Sequence, residues 1–131
     1  MRLLGALLCL SGSLVSFSAA AQQGRADIVR PDMPGRALFA EHCAACHGTG
    51  SGDDGARLLP GTAVLQEKYE GARPGEIELR NDLPAPVLRV FVRRGTGSMP
   101  MFRPSELTDA EIDEIADYLA ASAAANGDIV R

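Results

Sequence analysis

The chain has 131 residues, with 13 basic against 17 acidic side chains and a formal net charge of −4. That balance argues against nucleic acid or anionic membrane as a partner. The length suits one small domain. The chain has no tryptophan and few aromatics, so such a domain has little large apolar material for its core.

The first segment reads as an export signal. Arg2 is a short positive start, residues 3–17 form an uncharged apolar run, and Ser18-Ala19-Ala20-Ala21 offers small residues for cleavage after Ala21. The run is shorter than the about 20 residues that a membrane span needs. A signal peptide over residues 1–21 is therefore expected, with no stable membrane insertion after its removal. Leu8 disfavours a lipid anchor on Cys9. Loss of Arg2 makes the chain more negative, and the remaining cysteines are Cys43 and Cys46. Export implies an oxidising compartment. Residues 22–32 read as a flexible lead-in, 33–126 as the folded domain and 127–131 as a tail.

Pro34 suits a first helical turn, and a helix is expected to run over residues 35–46 until Gly48 stops it. Residues 48–61 are rich in Gly and Asp and read as loop. A short helix over residues 62–69 would carry Val64, Leu65 and Tyr69 inward. Residues 71–81 read as irregular. A helix over about 85–94 has Val87, Leu88 and Phe91 on one face. Residues 95–105 are a Gly- and Pro-punctuated loop. The last helix has the clearest signals: Thr108 and Glu111 form a capping box, and Leu107 and Ile112 a hydrophobic staple. Its acidic first turn suits the helix dipole. Ile112, Ile115, Ala116 and Leu119 make its apolar stripe, and Asn126-Gly127 its stop.

Cys43-Ala44-Ala45-Cys46-His47 is the stretch that carries chemistry. On a helix, positions i, i+3 and i+4 share a face. Two thiols can then meet two vinyl groups on one edge of a porphyrin, and His47 can reach its iron. One covalent haem c is thus the expected cofactor, with His47 as an iron ligand. A second iron ligand is available at Met99, in Gly97-Ser98-Met99-Pro100-Met101-Phe102, with Met101 as its local rival. A thioether opposite histidine favours the ferrous state and suits electron transfer rather than substrate chemistry.

These pieces resemble the small class I, monohaem cytochromes c, and residues 61–82 resemble the small bacterial members that accept electrons from dehydrogenases in the periplasm. The likeness rests on Gly35-x-x-x-Phe39-x-x-x-Cys43-x-x-Cys46-His47, Pro60, Met99-Pro100-x-Phe102 and Ile115-x-x-Tyr118-Leu119. It implies an all-α, cytochrome c-like fold, with three to four helices and long loops around one covalently bound haem. It implies that Gly35 and Phe39 meet Ile115 and Tyr118 where the first and last helices cross. It selects Met99 over Met101, because the family's ligand directly precedes proline. It also gives the Pro60 carbonyl a bond to His47, which would fix the imidazole. The mitochondrial members' lysine-rich docking surface is missing, since this chain has only Lys68.

The resemblance implies a carrier of single electrons, not an enzyme. Electrons would pass from a periplasmic flavin- or quinone-dependent dehydrogenase to a downstream cytochrome or oxidase, with the chain either a free carrier or the cytochrome subunit of a dehydrogenase complex. The alternative is a haem enzyme or gas sensor with an exchangeable sixth ligand. A zinc site from His42, Cys43, Cys46 and His47 is disfavoured, because neighbours on one helix do not close a tetrahedron. A thioredoxin-like motif would need a βαβ setting, and Asp53-Asp54 suits a turn. Arg89, Arg93, Arg94 and Arg103 bracket the methionine loop. They read either as a solvated face or as a positive rim for an acidic partner.

Overall fold

The computed structural model describes residues 28–127. The signal expected over residues 1–21, and Cys9 with it, lies outside the described residues, as does most of the expected tail. Helix α1 spans Pro34–His42, α2 Ala44–His47, α3 Pro60–Tyr69, α4 Ala85–Arg94 and α5 Asp109–Ala125, with a 3₁₀ turn at Ile77–Leu79. No strand occurs among the described residues, and no helix there is long and apolar enough to cross a membrane.

Helices α1 and α5 cross at Gly35. A Cβ at that position would collide with the Glu114 carbonyl, so only glycine lets the two backbones approach this closely. One turn further along, the Phe39 and Tyr118 rings meet with centroids 5.5 Å apart and planes tilted by 45°. The contact expected between Gly35, Phe39 and the Ile115–Tyr118 stretch is therefore present. Ile112, Ile115, Ala116 and Leu119 are all buried, as the stripe predicts, and join Phe39, Leu88, Val92 and Leu107 in one core.

The start of α5 follows its sequence signals. Thr108 Oγ1 accepts from the Glu111 amide at 3.2 Å, and the Glu111 carboxylate accepts from the Thr108 amide at 2.7 Å. The pair satisfies two otherwise orphaned amides, while Leu107 and Ile112 are both buried beneath it.

Several expectations need correction. The first helix is not continuous to residue 46, because it breaks at Cys43, where φ and ψ are −124° and −36°. In α4 the buried pair is Leu88 and Val92, one turn apart, while Val87 and Phe91 are exposed. The side of α4 that joins the core is set by its packing on α5, which periodicity alone does not specify. Val64, expected to face inward on α3, is 58% exposed. Residues 28–30, the end of the segment expected to be flexible, are held in place. Asn126 accepts from the Val29 amide at 2.9 Å and donates to its carbonyl at 2.8 Å. Asn126 also donates to the Ser122 carbonyl at 2.8 Å, so it closes α5 and fastens the lead-in together.

Candidate functional site

The break at Cys43 builds the site. Its amide donates to the Phe39 carbonyl at 2.9 Å, closing α1. Its own carbonyl accepts from Cys46 at 3.1 Å and from His47 at 2.9 Å, opening α2. The i, i+3, i+4 placement on a single turn thus survives the break. Both thiols are free; Cys43 is half-buried against the core and Cys46 is exposed. Burial, reinforced by Cys46, pushes the Cys43 thiol up to about 11, so it is neutral at pH 7.

His47 is pressed against α3. A Cβ on Gly61 would stand 2.7 Å from His47 Cε1 and 2.8 Å from Nδ1, so the α3 backbone lies directly on the imidazole. Thr62 Oγ1 donates to the Gly48 carbonyl at 2.9 Å and ties α3 to the end of α2. Nδ1 is buried and has no hydrogen-bond partner among the described residues. The bond to the Pro60 carbonyl is thus not formed here, although Pro60 opens α3 immediately before Gly61. Burial first, and then the positive charge of Arg80, lower the pKa of His47 below its ordinary value. The neutral ring this favours is the ligand form, and Nε2 is the nitrogen left for a metal.

The methionine loop follows α4. Thr96 and Met99 exchange backbone bonds of 3.2 and 2.9 Å, forming a tight turn. Met99 is partly buried and packs on the same core as Cys43, whereas Met101 is 63% exposed. After the turn the Phe102 amide donates to the Val92 carbonyl at 2.8 Å. The Phe102 ring meets the His42 ring edge-on at a centroid distance of 6.0 Å. The loop therefore lies against the end of α1, beside the cysteine box, and His42 has a packing role.

The four arginines do not form one rim. Arg89 pairs with Asp113, and Arg93 with Asp109 at 2.5 Å, both across to α5. Arg94 and Arg103 are exposed and form no ion pair among the described residues.

Behind the box lies a polar cluster that sequence reasoning missed. Glu78, 1% exposed, accepts from Arg30 Nε at 3.0 Å and from the Tyr118 hydroxyl. Arg30 continues to Thr49 Oγ1 at 2.5 Å. Arg80, 6% exposed, donates twice to Asp82 at 2.8 Å and lies 4.8 Å from the Tyr69 ring centroid. Arg80 finds Asp82 two residues away, but nothing in the spacing of residues 76–82 announces the burial of Glu78, because its partners Arg30 and Tyr118 come from distant parts of the chain.

A family model described as cytochrome c oxidase, cbb3-type, subunit III matches residues 30–119. The chain belongs to that family. It is also similar to cytochrome c6 of Cyanidioschyzon merolae (strain NIES-3377 / 10D), at 29% identity over 89 residues. That match covers 68% of this chain and 72% of the relative. The family span takes in Cys43, Cys46, His47, Pro60 and Met99 together. The protein is a small monohaem c-type cytochrome with one covalent haem c. Its residues fit the group: two free thiols on one turn, an imidazole whose Nδ1 is sealed against α3, and a glycine that keeps the space beside that ring clear. Bound there, haem c supplies an iron that takes up and releases one electron.

Proposed function

We propose that this cytochrome carries single electrons in the periplasm, from a flavin- or quinone-dependent dehydrogenase to a downstream cytochrome or oxidase. In this reading Cys43 and Cys46 hold the haem through thioethers, and His47 and Met99 are the axial ligands. The Pro60 carbonyl accepts from His47 Nδ1 once the ring is fixed by iron. The observation that carries the reading is the opposition of Met99 and Met101: Met99 turns into the core shared with Cys43, and Met101 stays in solvent. A filled sixth position leaves no site for substrate and suits electron transfer. Weak encounters are enough for it, typically below about 1,200 Å² of interface. The exposed Arg94 and Arg103 would then face an acidic partner, while Arg89 and Arg93 are already paired within the protein.

The test is spectroscopic. The oxidised protein should show the long-wavelength charge-transfer band of a methionine–ferric haem. Met99→Ala should abolish it and lower the reduction potential, and Met101→Ala should leave both close to wild type. The opposite pattern would transfer the role to Met101. Absence of the band in the wild-type protein would favour a haem enzyme or sensor with an open sixth position.

A further inference from the structure

Arg93 lies in the last turn of α4, six residues before Met99 in sequence. Its side chain turns away from solvent and toward the backbone beyond the methionine. Nη1 donates to the Phe102 carbonyl at 3.0 Å. Nη2 donates to the Leu107 carbonyl at 2.8 Å and to the Asp109 carboxylate at 2.5 Å. One guanidinium thus joins the end of α4, the far side of the methionine turn and the start of α5. The segment between Phe102 and Leu107 is otherwise closed by its own short bonds, such as the Arg103 amide to Glu106 at 2.7 Å. Those bonds shape the loop but do not attach it to α4. Among the described residues, the other hydrogen bond from this segment to α4 runs from the Phe102 amide to the Val92 carbonyl at 2.8 Å, and the Phe102 side chain packs on the core.

We propose that Arg93 is a positioning residue for the sixth iron ligand: it clasps the backbone beyond Met99 and keeps the thioether on the iron. The proposal rests on Met99 being that ligand. A fork of donors aimed at two carbonyls is a task for arginine, since lysine offers one compact charge. Hydrogen bonds from a charged donor are stronger than neutral ones, and breaking them leaves both carbonyls unpaired. Without the clasp, the loop opens more often. An added ligand that competes with methionine binds only the open form, so its apparent affinity rises with the population of that form.

Imidazole binding to the oxidised holoprotein reads that population. Arg93→Gln should bind imidazole about tenfold or more tightly than wild type, as expected for the loss of charge-assisted bonds. Arg93→Lys should lie between the two. Arg94→Gln, which removes an exposed charge next to it, should stay within about twofold of wild type, in keeping with the small effect of changes at exposed positions. Wild-type affinity in a folded Arg93→Gln protein would overturn the proposal. An equal rise in Arg94→Gln would also overturn it, by showing a general effect of charge. If the Gln variant does not fold, unchanged affinity in Arg93→Lys serves as the refuting result. The ligand assignment is read separately: a silent Met99→Ala would remove both claims, whereas a lost band in Met99→Ala with unchanged imidazole affinity in Arg93→Gln would remove only the clasp.

Discussion

The α1–α5 crossing and the methionine loop are held by different physics. At the crossing, Gly35 admits the Glu114 backbone, and Phe39 interlocks with Tyr118 in an apolar core. Such packing is cooperative, because a misplaced atom disturbs many neighbours in a close-packed interior. The loop is shaped by the Thr96–Met99 turn; Met99 and Phe102 touch the edge of the core, and polar bonds, with Arg93 at the centre of them, fasten the rest. Segments held in this way can open without global unfolding. A rigid frame thus carries Cys43 and His47, and a separately fastened strap carries Met99.

Breaking the crossing should have the largest effect. Gly35→Val places a branched side chain where a single Cβ already collides with backbone, and overpacking of that kind costs about 3 kcal/mol. It should lower the midpoint of chemical denaturation for every probe together, including haem absorbance. A rise in imidazole affinity in this variant to the level of Arg93→Gln would contradict the separation of frame and strap.

Tyr118→Phe keeps the ring contact and removes only the hydroxyl bond to the buried Glu78 carboxylate. A lost bond to a charged group costs about 1.5–3 kcal/mol. Denaturation should therefore shift by less than in Gly35→Val, with the haem spectrum unchanged. An unchanged midpoint would mean that Arg30 alone satisfies Glu78.

Thr108→Ala removes the cap at the start of α5, next to the point where Arg93 grips Leu107 and Asp109. The expected cost is about 1 kcal/mol. Because the cap adjoins the strap, imidazole affinity in the oxidised protein should rise slightly, by less than in Arg93→Gln. A larger rise would shift the strap's anchor from Arg93 to the helix start.

Acid should produce the smallest effect. The hydrogen bonds from Arg80 hold the Asp82 carboxyl below the usual carboxylate range. A carboxylate with a lowered folded-state pKa stabilises the fold above its unfolded pKa, and that contribution is lost as pH falls through the folded value. Wild type should therefore lose some stability below about pH 4, and Asp82→Asn should lose less across the same interval. Parallel pH profiles for the two would show that the pair contributes nothing measurable.

Much of the frame was legible because its signals are local. The haem box is a five-residue spacing, the start of α5 is a capping box four residues long, and its apolar stripe repeats with the helix turn. The bounds of α4 follow from Pro84 ahead of it and Gly95 behind it. What could not be read was which partners distant side chains would find. Arg93 looked like surface charge because its acceptors are two backbone carbonyls and Asp109. Glu78 looked like loop because Arg30 and Tyr118 lie 48 and 40 residues away. Asn126 read as a helix stop, and its grip on Val29 spans 97 residues.

By itself, then, the sequence determined where the helices lie, though not the break at Cys43, and it determined the order of the cysteines and histidine and the family to which they belong. Those properties depend on backbone preference and on spacing within a turn or two. Only the tertiary structure decided that α3 lies on the His47 ring, that Leu88 and Val92 rather than Val87 and Phe91 are buried, and that Arg93 points inward. Each of these depends on how whole helices pack against one another. Periodicity within one helix does not specify its partner's register; interlocking shape and paired charge across the domain do.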